Sequence, residues 1–335
     1  MVIIYKLAVI KRMHFKKMRK LLKFTIIILI LGLTIYWLPL LYLKLVVKPT
    51  ESYPEETYID SIKNKKALII VAHHDDIFGS VAIAKWLCSN DWDVRAFYFK
   101  APSYWTNSVR EIKGIASTLE VVEIIGLKEF TLIDQSLRND SIVEDLNVPY
   151  EAFNNVFRTD TIEKVITDLI STHNPSIIFS LDDKIGFYGH SDHVFVSRTT
   201  TNICQRNKSN YNFPVKLLYQ TVIPPSQIEG VMVKYHKLHY FRNFWGIKRL
   251  IKDGGFSESV YTKAKSIYNC DGMPTPDIQF KIDTLSIYNR RFLESWAPSE
   301  KKNLKRFIPF CYWYPHWIYY KMFNYEYFRL IRLDK

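Results

Sequence analysis

The chain has 335 residues, of which 48% are hydrophobic, 15% aromatic and 24% charged. That apolar content excludes a disordered chain, and the presence of a single long uncharged window excludes a multi-span transporter. The net charge of +13 sits at the two ends: residues 1–23 carry eight basic residues and no acid, residues 301–335 carry eight basic and two acidic, and the stretch between is near neutral. A nucleic-acid binder carries its basic footprint on the folded domain, so this distribution points to a membrane surface and to no nucleic acid.

The first predicted element is Phe24 to Leu43, twenty residues without a charge. As a helix it spans about 30 Å, one hydrocarbon core. Tyr36, Trp37 and Tyr42 lie toward its far end, where aromatic rings prefer the interface. No small-residue cleavage site follows, so an uncleaved anchor is expected rather than a signal peptide. The basic flank lies N-terminal, which places the N-terminus in the cytoplasm and residues 48–335 on the extracytoplasmic side. The polar stretch 48–64, with two prolines, reads as a linker.

From Lys66 onward strands and helices alternate. Ala67–Ala72 (ALIIVA) and Ile177–Leu181 (IIFSL) are continuous apolar runs, the mark of strands buried on both faces. Val94–Phe99 and Lys216–Val222 read as further strands. Helices are expected over 80–90, over 107–120 with Asn107 as cap, over 160–173 capped by Asp160, and over 194–205 with Ser191 or Asp192 as cap. Residues 223–300 carry loop signals (DGGF, DGMPTP) but no clear periodicity. The fold class expected is α/β: a Rossmann-like, mostly parallel sheet with helices on both faces, preceded by one transmembrane helix. The expected organisation is a basic segment (1–23), the anchor (24–46), a linker (47–65), a catalytic domain (66–300) and a tail (301–335).

Metal-capable residues concentrate in two segments at predicted strand ends, where such sheets bind ligands. One is His73-His74-Asp75-Asp76; the other is Gly189-His190-Ser191-Asp192-His193. Imidazole and carboxylate together suit zinc, and a catalytic zinc keeps three protein ligands and one open position. His73, Asp76 and His193 supply such a set, with Asp75 as a neighbouring carboxylate for proton transfer. His190 is placed one helical turn before His193, in reach of an oxyanion or a leaving amine. His74 is expected to point away, because neighbours in an extended chain face opposite sides. The other histidines have no such company and read as structural or surface groups.

The segments AHHDD (72–76) and GHSDH (189–193) resemble the paired A-H-P-D-D-E and G-H-P-D-H signatures of the PIG-L/LmbE-like zinc-dependent deacetylases. The resemblance runs from about Lys66 to Gln205 and takes in Arg110-Glu111 and Asp134-Gln135-Ser136-Leu137. It implies a Rossmann-like fold and removal of the N-acetyl group from N-acetylglucosamine-type sugars, with release of acetate. It implies Zn2+ on His73, Asp76 and His193, Asp75 as general base, His190 facing the oxyanion, and Asp192 orienting a histidine. The partners implied are an N-acetylated amino-sugar substrate and, from the anchor, the lipid bilayer. Ile77 stands where the family has an acid, His74 and Ser191 where it has prolines, and its late H-x-S-Q segment survives only as Ala297-Pro298-Ser299-Glu300. These departures leave two alternatives: a zinc amidase acting on another amide-bearing sugar conjugate, and a glycan-binding relative without turnover.

Four cysteines without C-x-x-C spacing support no cysteine metal site. Twelve of residues 301–335 are aromatic, interleaved with Lys and Arg. That pattern suits a membrane interface, a sugar-stacking surface, or an amphipathic helix packed on the domain.

Overall fold

Helix α1 runs unbroken from Val2 to Tyr42 and passes into a π-helical turn over Leu43–Val47. In this computed structural model the described residues are 2–100, 123–126, 148–230, 260–294 and 315–333. The basic segment expected ahead of the anchor is thus continuous helix with it. His14–Val47 is long and apolar enough to cross a membrane. Among the side chains described from Phe24 to Leu41, the large apolar ones other than the half-buried Leu40 are exposed, as a lipid-facing helix requires. The Thr25 and Thr34 hydroxyls donate back to the carbonyls of Leu21 and Ile30 at 3.0 and 2.8 Å, so neither needs water. The chain divides into two units, Met1–Val46 and Val47–Lys335.

The second unit is built on a seven-stranded sheet. Its strands are β1 (Lys66–His73), β2 (Asp93–Lys100), β3 (Glu123–Gly126), β4 (Ile177–Leu181), β5 (Leu217–Val222), β6 (Ile278–Lys281) and β7 (Tyr325–Arg332). The order is β3-β2-β1-β4-β5-β7-β6; the first five strands are parallel, and β7 is antiparallel to both its neighbours. The apolar runs of β1 and β4 are buried throughout their middles, with Ile69 paired to both Ala96 and Phe179. Successive strands run outward from β1 in one direction and from β4 in the other. The sheet's switch point therefore lies between β1 and β4, where side chains at the carboxyl ends face an open crevice.

The main helices are α2 (Val81–Ser89), α3 (Thr159–His173), α4 (Ser191–Asn207), α5 (Val260–Ile267) and α6 (Ser286–Glu294). α3 and α4 pack together and against β1; α2 packs on β2 and on α6. α3 buries Ile162, Ile166 and Ile170, the stripe its spacing predicts. Its cap differs from expectation: Arg158 holds that position and Asp160 lies in the first turn, where a carboxylate still favours the helix dipole. It ends at Asn174, left-handed at φ 57°, before Pro175. The helix expected over 107–120 lies outside the described residues.

Two boundaries move. Pro54–Glu56, inside the 48–64 stretch read as a linker, pair with the β6 edge: the Glu56 N–H donates to the Gln279 carbonyl at 2.9 Å, and the Gln279 N–H to that of Pro54 at 2.8 Å. An edge strand leaves such groups to be satisfied, and this segment satisfies them. The domain also extends beyond 300, because Tyr325–Arg332 from the aromatic tail is β7, between β5 and β6. The Arg329 guanidinium donates to Asp183 at 2.9 Å and to Gln220 at 3.1 Å, bracing β7 against the loop after β4.

β7 also caps α2. The buried Glu326 carboxylate accepts the Ala82 and Ile83 N–H groups at 2.8 and 2.9 Å. These are orphan donors of the first turn of α2. Burial nevertheless pushes Glu326 up to about 7 from its ordinary 4.5. The folded chain then holds a proton that the unfolded chain releases between those pH values, so this group costs stability as pH rises through the window. In Glu326→Gln that slope is removed. The expected result is a wild-type advantage in melting temperature that is larger at pH 4.5 than at pH 8. An advantage independent of pH would disprove the linkage.

Candidate metal centre

β1 delivers the first group. Its chain is extended to His73 and then tightens into a 3-10 helix over His74–Ser80. The Asp76 carboxylate accepts the His73 N–H at 2.8 Å, closing that turn and bringing both side chains to one side. Asp75 lies inside the turn, and the side chains of His74 and Asp75 are outside the described set. Gly79 follows where no side chain fits: a Cβ there would sit 2.2 Å from the Thr221 methyl on β5.

The loop after β4 delivers the second. Buried Asp182 accepts the N–H groups of Lys184, Ile185 and Phe187 at 3.0, 2.7 and 2.6 Å. These bonds hold Phe187 at φ 72°, a conformation costly for a side chain of that size, about 1–3 kcal/mol. They also fix Gly186, at φ 57°, so close to α4 that a Cβ would lie 2.6 Å from that of His193. The Gly186 carbonyl thereby accepts from His193 Nδ1 at 3.1 Å. Burial raises Asp182 itself to about 6, against its backbone donors.

α4 begins at Ser191, three residues before the expected start, and its cap is His190. His190 Nδ1 accepts the Asp192 N–H at 3.2 Å. His190 thus stands at the mouth of the helix, one turn before His193, and its carbonyl accepts the Val194 N–H at 3.1 Å. Its ring stacks on that of His193, centroids 4.8 Å apart. Tyr268, from the segment after α5, donates its hydroxyl to the Gly189 carbonyl at 3.1 Å and anchors the backbone just before His190.

The three groups converge. His73 Nδ1 and His193 Nε2 are 3.0 Å apart; His73 Nδ1 to Asp76 Oδ2 is 3.4 Å, and His193 Nε2 to Asp76 Oδ1 is 3.2 Å. The other nitrogen of each of these histidines is occupied: His73 Nε2 faces Asp192 Oδ2 at 3.1 Å, and His193 Nδ1 faces the Gly186 carbonyl. Each is then the N–H donor, which leaves the lone pairs of His73 Nδ1 and His193 Nε2 facing one another. Two lone pairs and a carboxylate at these distances require a shared proton or a cation. A tetrahedron with bonds of ~2.0 Å has edges of about 3.3 Å, which is the spacing found. The donor set thus fits zinc.

The electrostatics agree with that geometry. Burial opposes a charge on His73, but the bonds and charges of Asp192 and Asp76 outweigh it and hold it up to about 10. Burial also opposes the Asp76 carboxylate, and His193 and His73 outweigh it, so Asp76 is held below its ordinary value. Burial brings His193 down. It brings His190 down to about 3, so that ring is neutral near pH 7. With Nδ1 accepting from Asp192, its single proton is on Nε2.

Five of the six residues singled out in the sequence, His73, Asp76, His190, Asp192 and His193, come together here; the side chain of the sixth, Asp75, is outside the described set. Arg110, Glu111, the 134–137 segment and the 297–300 remnant also lie outside it. His173 is structural as expected, buried with Nε2 at 3.1 Å from the Ala67 carbonyl. Asp182, Gly186 and Tyr268 were not singled out. The first two carried a faint signal, an acid pair and a glycine right after a buried strand; Tyr268 carried none.

Residues 68–204 match the PIG-L family, described as GlcNAc-PI de-N-acetylase, and form a domain of that family. No curated protein matches the chain. Among solved structures it is similar to N,N'-diacetylchitobiose deacetylase from Pyrococcus horikoshii, at 15% identity and TM-score 0.43, over 81% of this chain and 85% of that one. It is similar to GalB, the 4-carboxy-2-hydroxymuconate hydratase from Pseudomonas putida KT2440, at 12% identity and TM-score 0.42, over 77% and 83%. A conserved protein from Thermus thermophilus is similar at 13% identity and TM-score 0.39, over 78% and 92%.

Proposed function

We propose that this PIG-L domain is a zinc-dependent hydrolase that removes the acetyl group from an N-acetylglucosamine-type sugar, carried on a glycolipid or cell-surface glycan. The observation that carries the reading is the convergence of His73, Asp76 and His193 within 3.4 Å beside a neutral histidine donor. The family match supports the sugar amide as substrate class.

Zinc, when bound by these three residues, supplies Lewis acidity that polarises the amide carbonyl and makes water ionise near neutral pH. The remaining work falls to the chain. Asp192 holds His73 with Nδ1 toward the ion, and the Gly186 carbonyl does the same for His193 Nε2. Asp75 accepts the proton of the attacking water. His190 donates its Nε2–H to the carbonyl oxygen as negative charge develops there, a donor fixed in advance by its bond to the Asp192 N–H. Asp75 returns the proton to the nitrogen as the C–N bond breaks, leaving acetate and the amine.

Residues 24–46, within the apolar helix His14–Val47, are the proposed membrane anchor, with residues 48–335 outside the cytoplasm. The eight basic residues before the apolar run carry that orientation. A reporter active only in the cytoplasm, fused after Lys335, is expected to be silent; activity would invert the anchor. The hydrolase itself is tested with the full chain, with zinc and after chelation, on N-acetylglucosamine, its β-linked disaccharide and an N-acetylglucosamine lipid. Zinc-dependent acetate release from at least one is expected, and none from any would overturn the reading.

A further inference from the structure

The loop between β4 and α4 is held in left-handed backbone, with Phe187 at φ 72° between Gly186 at φ 57° and Gly189 at φ 109°. For a residue of the size of Phe187 such strain persists only where the surroundings fix the chain from several sides. Asp182 fixes it from within, through the N–H groups of Lys184, Ile185 and Phe187. Two tyrosines fix its ends. Tyr150, in the 3-10 turn Tyr150–Ala152, donates its hydroxyl to the Lys184 carbonyl, and Tyr268 donates to the Gly189 carbonyl at 3.1 Å. Their rings stack on each other with centroids 5.0 Å apart, and the Arg198 guanidinium lies over the Tyr150 ring at 4.1 Å. Arg198 is on α4, beyond His193. The stack therefore ties both ends of the loop to the helix that carries His193.

Each tie acts on a different peptide plane. The Lys184 carbonyl and the Ile185 N–H share one plane; Tyr150 holds its carbonyl, and Asp182 Oδ1 accepts its N–H at 2.7 Å. Held at both ends, this plane cannot turn. Gly186, next in the chain, then keeps its carbonyl 3.1 Å from His193 Nδ1. The Gly189 carbonyl belongs to the plane that leads into His190. Tyr268 stops that plane from turning, so the His190 ring stays where its Nδ1 accepts the Asp192 N–H at 3.2 Å. That N–H is in the first turn of α4, where the helix has no carbonyl of its own to offer. Phenylalanine would fill either ring site, so what the two hydroxyls add is these carbonyl bonds.

We propose that Tyr150 and Tyr268 are positioning residues with separate tasks. Tyr150 sets His193 for the metal through Gly186, and Tyr268 sets His190 for the oxyanion. The proposal rests on the hydrolase reading above for what those two histidines do.

The test reads backbone amide exchange in the full, metal-depleted chain, with a melting curve beside it. Tyr268→Phe is expected to speed exchange at Asp192 about 2- to 10-fold, one lost hydrogen bond, and to leave Ile185 unchanged. Tyr150→Phe is expected to do the reverse. Zinc affinity, measured by competition with a chelator, should fall about 2- to 10-fold in Tyr150→Phe and stay unchanged in Tyr268→Phe. In acetate release, Tyr268→Phe should lower kcat about 2- to 10-fold at unchanged KM. Unchanged exchange at both amides in both variants would overturn the proposal. So would exchange quickened evenly across the domain with a lower melting temperature, which is the mark of packing alone. If Tyr268→Phe does not fold, Tyr150→Leu removes the ring on which Tyr268 stacks and is expected to speed both amides; unchanged exchange at Asp192 there overturns the task given to Tyr268. Exchange is read without metal or turnover, so a wild type that releases no acetate counts against the hydrolase alone and leaves this result intact.

Discussion

The wild type is expected to purify with one zinc per chain, and each of His73→Ala, Asp76→Ala and His193→Ala with far less, releasing acetate only at background rate. The three donor atoms are within 3.4 Å of each other, so each variant leaves two ligands of three. A two-ligand remnant in a site that must also keep an open position binds zinc weakly. The Asp76 variant has a second consequence, because that carboxylate also closes the turn through the His73 N–H. Asp76→Asn is the better control there, since its amide oxygen can keep the turn. Metal analysis alongside a melting curve separates loss of ion from loss of fold. Full zinc in all three folded variants would sink the site.

The parts of this site legible in the sequence are those that depend on one segment at a time. A strand buried on both faces in a parallel sheet has to be a continuous apolar run, so ALIIVA and IIFSL announce β1 and β4. Histidines and acids at their ends then mark the crevice. What depends on two segments closing on each other was not legible. Asp182 reads as a loop acid until its three backbone donors are seen, and the need for glycine at 186 appears only when α4 arrives against it. The start of α4 was misplaced because histidine is not a favoured cap, so nothing at His190 announced a helix. β7 was hidden by composition. Its YEYFRLIR run alternates, but a buried Glu326 in the middle breaks the apolar face and makes sense only as the cap of α2. The aromatic tail was accordingly given to a membrane interface, a sugar-stacking surface or a packed helix, when part of it is sheet and part of it lines a cavity.

Asp75→Asn and Asp192→Asn are expected to fail in different ways, although both remove one carboxylate near the same ion. Asp75 is not among the converging ligand atoms, and its proposed task is to carry a proton. An asparagine in its place retains size and polarity but cannot accept that proton at any useful pH. The variant is expected to keep one zinc per chain and an unchanged KM while kcat falls about 10²- to 10⁴-fold, the usual worth of a general base. Asp192 acts through His73, whose Nε2 it faces at 3.1 Å. Asparagine can still accept there through its oxygen, but without the charge that makes His73 a stronger ligand. The expected result is zinc affinity lower by roughly 10- to 100-fold, with kcat largely restored when zinc is raised to saturation. The deciding measurement is a zinc titration of acetate release for both variants. Recovery of Asp75→Asn at saturating zinc would move Asp75 from proton transfer to metal binding. Failure of Asp192→Asn to recover would give Asp192 a part in the chemical step itself.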